Sequence, residues 1–209
     1  MNTSSFSLKN TLILNSIFND PADPHKFQLI KKLIDHTLDI SCLKIQSLNI
    51  PIIKEELDED FCASDYIVTK DDGEKIIVEI VFATNTELNH NKMIQNLFIL
   101  YGEQENFNPD HPFTIYKSYQ MAFMDGLNSD QFMDVYQIKN QLGVVREDGI
   151  VNKHILIDIS YINKILEEKT IDDLTVLEAF AYLLEKGIDQ NVIKYTFTKT
   201  KEKEELNNE

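Results

Sequence analysis

Apolar and polar positions alternate along the chain with periods that change from helical to extended and back. Leu8 to Phe18 reads as a helix stopped before Asn19-Asp20-Pro21, and Pro24 opens a second whose buried stripe is Phe27, Ile30, Ile34 and Leu38. Leu43 to Leu48 predicts a first strand, followed by an acidic loop from Lys54 to Asp60. Two β-rich runs come next, Cys62 to Thr69 and Ile76 to Phe82, joined by Lys70-Asp71-Asp72-Gly73-Glu74. Thr84-Asn85-Thr86-Glu87 fits a capping box with Thr84 as N-cap. The helix it opens continues through Met93, Leu97 and Leu100 or Tyr101 and ends between Gly102 and Asn106. Alternation over Phe113, Ile115, Lys117, Tyr119, Met121 and Phe123 predicts a long strand closed by Asp125-Gly126. Phe132 to Ile138 and His154 to Ile159 read as further strands. Leu174, Leu177, Phe180, Ala181 and Leu184 mark a C-terminal amphipathic helix stopped at Gly187. The order predicts an α/β fold with a mixed, partly antiparallel central sheet flanked by helices, and no internal repeat. It divides into a core over 7–163, a C-terminal helical extension over 164–193 and a charged tail over 194–209.

Ile76-Ile77-Val78-Glu79-Ile80-Val81-Phe82 carries one polar residue in a run that reads as a strand covered on both faces. A lone carboxylate at Glu79 loses several kcal/mol of solvation there unless something compensates it. If Asp71-Asp72-Gly73 is a three-residue loop with Gly73 left-handed, Lys70 faces Glu74, and counting back sets Asp65 directly across from Glu79. Like charges in that relation repel, and a divalent cation between them resolves the conflict, since Mg²⁺ sites commonly use one or two carboxylates. The structural alternative is a protonated or lysine-paired Glu79 and a surface Asp65. A register slip of one residue would put the two on opposite faces.

An Asp on one strand, a hairpin, and Glu-Ile-Val on the next resemble the PD-(D/E)XK nuclease superfamily, specifically its transposase-associated, recombination-promoting branch. Asp65 matches the first motif position and Glu79-Ile80-Val81 the second. The likeness runs from about Asn10 to about Asn163. Leu14-Asn15-Ser16-Ile17-Phe18 looks like the opening helix, and Lys92 to Tyr101 like the Arg/Tyr-bearing helix after the Glu strand. Phe113 to Tyr116 and His154 to Asp158 look like the later strands. The resemblance implies a restriction-endonuclease-like core over 7–163 and Mg²⁺ held by Asp65, Glu79 and the backbone carbonyl of Ile80. It implies hydrolysis of DNA phosphodiesters in transposition or recombination. The motif departs at Val81, where the family carries Lys or Gln, and at Thr11, where many members are acidic. Lys92, roughly where the branch has Arg, is the candidate replacement for the missing cation or a phosphate contact; its structural reading is a solvent-facing helix lysine. Activity is accordingly expected to be slow or absent.

Composition changes this picture in one respect. The chain has 209 residues, 43% hydrophobic and 26% charged, with a net charge of −15. A DNA-binding surface ordinarily neutralises phosphates with a basic patch, and the clustered lysines here are few: Lys31 and Lys32, Lys70 and Lys75, then Lys194, Lys199 and Lys201. The competing reading is therefore a catalytically inactive acidic protein that binds a basic partner protein. No apolar run is long enough to span a bilayer, and no secretory pattern opens the sequence, so a cytoplasmic protein is expected. Cys42 and Cys62 lack metal spacing and are expected reduced. His90, His111 and His154 are scattered and read as satisfied or exposed side chains.

Overall fold

The computed structural model describes residues 11–18, 21–48, 60–102, 116–137, 151–187, 189–190 and 192–193. The expected acidic loop before Asp60, the strand start at Phe113 and Ile115, His111 and the charged tail lie outside these residues. Among the described residues, six strands form one mixed sheet in the order β1-β2-β3-β4-β6-β5. They are β1 (Cys42–Ser47), β2 (Phe61–Lys70), β3 (Lys75–Thr84), β4 (Lys117–Asp125), β5 (Met133–Tyr136) and β6 (Val151–Asp158). β1–β2, β2–β3 and β5–β6 are antiparallel, whereas β3–β4 and β4–β6 are parallel. This is the expected α/β architecture.

Helix α1 (Thr11–Phe18) precedes α2 (Pro24–Leu38), which starts with Pro24 in its first turn and Asp23 accepting from the backbone N–H of His25 and Lys26. Both pack on one face of the sheet, where Phe18, Ile30 and Ile34 meet Tyr66, Val78, Ile80, Phe82, Met121 and Phe123. The same core takes in α5 (Val176–Lys186), which follows the short helix α4 (Ile162–Glu168). Phe180 of α5 lies 5.3 Å from the Phe123 ring, Phe123 stacks on Phe82 at 5.0 Å, and Phe82 reaches Phe18 at 4.9 Å. Helix α5 thus shares one core with α1, α2 and the sheet. Thr175 and Glu178 form a full capping box on α5, and Gly187 ends it at φ 91°.

The opposite face is covered by α3 (Glu87–Gly102), whose Met93 packs on Val81, Ala122 and Leu156. Its cap differs from the sequence expectation. Thr86 Oγ1 accepts from the Asn89 N–H at 3.2 Å, because β3 runs on to Thr84 and leaves it extended. Thr84 instead anchors the helix, taking Asn89 Nδ2 on both its carbonyl and its hydroxyl at 3.0 Å. Cys42 and Cys62 are free and buried, and burial pushes the Cys62 thiol up to about 12.

Candidate functional site

The β2–β3 hairpin has the register that its loop chemistry dictates. Gly73 sits at φ 85°, its N–H donates to the Lys70 carbonyl at 3.0 Å, and the Lys70 N–H donates to the Glu74 carbonyl at 2.9 Å. Pairing counted from that closure makes Asp65 the direct partner of Glu79. The Asp65 carbonyl accepts from Leu48 on the β1 side at 2.8 Å. Asp65 and Glu79 are thus a non-hydrogen-bonded pair of the β2–β3 ladder, the kind whose side chains stand closest together.

Both carboxylates are on the sheet face that α3 packs against, with Asp65 6% and Glu79 0% exposed. Asp65 Oδ1 and Glu79 Oε1 are buried without a hydrogen-bond partner. Burial raises the Asp65 carboxyl well above the ordinary range. Burial, and then the charge of Asp65, do the same to Glu79, against the opposing effect of the Gln120 amide and the nearby Asn96. Among the described residues no lysine contributes to the shift of Glu79, which favours the protonated alternative over the lysine-paired one. Asp158, on the same sheet face, shows what a compensated buried carboxylate looks like here. It accepts from the N–H of Ser129 at 2.8 Å and of Ser160 at 3.0 Å, and from the Ser160 hydroxyl at 2.6 Å.

Sequence reasoning missed the residues beside the pair. In the parallel ladder Glu79 is level with Gln120, which is level with His154, which is level with Tyr136. One polar row thus crosses five strands on the α3 face. Gln120, also 0% exposed, donates from Nε2 to Glu79 Oε2 and to the Met93 carbonyl of α3 at 3.1 Å. Asn96, one turn beyond Met93, favours the charged form of Glu79, although its Nδ2 completes no hydrogen bond. His154 is half-buried, with Nδ1 unpartnered and its ring 5.9 Å from Tyr136. Burial and the nearby charge of His90 hold the His154 imidazole below its ordinary range. It lies on a different element from His90, as expected, but it is part of the row and its Nδ1 is not satisfied, which corrects that part of its sequence reading. The signal at Gln120 was the one that exposed Glu79: a polar residue inside a strand covered on both faces.

The other expected site residues are placed as follows. Ile80 forms a narrow hydrogen-bonded pair with Ser64, so its carbonyl is engaged in the ladder and offers only its second lone pair to a cation. Lys92 Nζ lies over the Phe61 ring, 5.7 Å from its centroid. Phe61 is four residues along β2 from Asp65, about 13 Å at strand rise, so the defined contact of Lys92 is away from the pair. Val81 is fully buried against Met93, Ala122 and Leu156. Thr11 opens α1. Among the described residues, no group of three or more His, Cys, Asp and Glu side chains is placed to hold a metal ion. The candidate centre is therefore a two-carboxylate site extended by an amide.

The chain matches no family model, no curated protein and no solved structure.

Proposed function

We propose that this chain is a cytoplasmic PD-(D/E)XK-type nuclease-like protein in which Asp65 and Glu79 bind Mg²⁺. The proposed reaction is slow hydrolysis of DNA phosphodiesters, of the kind that accompanies transposition or recombination. The observation that carries this reading is the pair itself: two buried carboxylates directly opposed across adjacent strands, each with an unpartnered oxygen. A hard divalent cation matches that donor chemistry, because it prefers oxygen ligands and offsets both charges at once. When bound, such an ion activates a water molecule and polarises a phosphoryl oxygen. Asp65 and Glu79 fix where the ion sits, Gln120 orients the Glu79 carboxylate, and Val81 leaves the usual Lys or Gln position apolar. The absence of that side chain removes a transition-state contact, which is why slow turnover is expected.

Two observations favour a second reading, an inactive acidic protein that binds a basic partner protein. Glu79 and Gln120 are 0% exposed, which leaves a nucleic acid no direct approach to them. Defined ion pairs also occupy several lysines: Lys31 with Asp35, Lys70 with Asp72 and Glu74, Lys117 with Glu74, and Lys169 with Glu178. Incubation with supercoiled DNA separates the two readings. Nicking that requires Mg²⁺ or Mn²⁺ and disappears in Glu79→Ala is the outcome expected of the nuclease. Intact DNA at every metal and protein concentration, with a folded wild type, overturns it in favour of the binding protein.

A further inference from the structure

Gln120 makes two hydrogen bonds with one nitrogen, and both acceptors are fixed. The Met93 carbonyl can only accept, so the amide has one permitted orientation, with Nε2 toward it and toward Glu79 Oε2. Gln120 Oε1 is thereby left as a buried acceptor without a partner. Glu79 Oε1 is in the same condition on the adjacent strand β3, and Asp65 Oδ1 on β2 beyond it. Three neighbouring buried side chains thus each leave an oxygen unpaired. Unpaired buried acceptors are destabilising, and a shared positive ligand satisfies all three at once.

We propose that Gln120 is a member of the cation site: its amide N–H ties one Glu79 oxygen to α3, and its carbonyl oxygen is a third, neutral ligand beside Asp65 and Glu79. This deepens the metal-binding reading above and rests on it. An amide carbonyl suits a hard divalent ion, and it adds a ligand without adding a third negative charge to a buried pair. It also couples the site to α3, since the nitrogen that orients Glu79 is held by the backbone of Met93. Removing Gln120 therefore changes both the number of ligands and the freedom of the remaining carboxylate.

Titration calorimetry of the full chain with MnCl₂, together with thermal melts with and without MnCl₂, tests the assignment. The wild type is expected to bind Mn²⁺ and Glu79→Ala to lose it. Gln120→Leu is expected to weaken Mn²⁺ roughly 10- to 100-fold, the range for groups that orient metal ligands. Gln120→Glu keeps the size of the side chain and serves where the leucine variant folds poorly. It is expected to melt lower than wild type without metal and to gain more from Mn²⁺ than wild type does. A merely structural Gln120 would instead lower the melting temperature equally in both conditions, which overturns the proposal. Binding lost in Glu79→Ala but equal to wild type in both Gln120 variants also overturns it, leaving the carboxylate pair as the site. No Mn²⁺ binding by the wild type removes the pair reading, and this inference with it.

Discussion

Glu79 sits on the central sheet where burial and an opposed carboxylate act in the same direction. Both Asp65 and Glu79 have their pKa raised in the fold, so the sign of the pH dependence is determined. As pH rises above about 4, the unfolded chain releases these protons while the folded chain retains them. Stability from this source is therefore greatest in acid and falls as pH climbs toward the raised values. Glu79→Gln removes the titrating group and keeps its shape. In buffer with chelator, the variant should be more stable than wild type by about 1–2 kcal/mol at pH 8, with the gap closing toward pH 4.5. Urea unfolding at several pH values measures it. A variant that is much less stable at pH 8 would mean that the Glu79 charge has a stabilising partner in the folded chain.

At the scale of the element, the hairpin sets the site, and its loop sets the hairpin. Gly73 has no neighbour within 4 Å of where a Cβ would stand, so a substitution there is resisted only by its φ of 85°. Gly73→Ala should destabilise by about 1 kcal/mol through left-handed backbone strain, and Gly73→Asn by less, because Asn tolerates that region. Chemical denaturation of the two variants gives the ordering; equal stability of all three proteins would show that the loop relaxes without strain. The capping of α3 carries a related lesson. Two threonines two residues apart both fit a cap, and the choice between Thr84 and Thr86 was made by how far β3 extends, which local spacing does not encode.

At the scale of the molecule, α5 is joined to the sheet through aromatic rings. Phe180 is 5% exposed and contacts Phe18, Phe82 and Phe123. Phe180→Ala should cost about 3–5 kcal/mol, as for other buried aromatic truncations, and the protein should still unfold in one transition. Calorimetry distinguishes this from an independent extension: a split transition, or a loss below about 1 kcal/mol, would mean that α5 contributes little to the core.

The sequence by itself determined what depends on near neighbours along the chain. Helix periodicity in α2 and α5, the Pro24 start, the Gly187 stop and the three-residue loop at Gly73 are local consequences of side-chain size, φ preference and spacing. Because a tight hairpin transmits its register residue by residue, the pairing of Asp65 with Glu79 was also legible, although the two are distant in sequence. Tertiary structure alone decided everything that crosses a non-local strand boundary. The parallel register of β3 with β4 and of β4 with β6 is established through long connections and packing, so no local rule places Gln120 beside Glu79 or His154 beside Gln120. Likewise the place of Lys92 on α3 does not by itself say which neighbours its side chain meets: the helix turns Asn89, Met93 and Leu100 toward the sheet and sets Lys92 Nζ over the Phe61 ring. A helix's rotation about its axis is set by the surface it covers, and that surface exists only once the strands have paired.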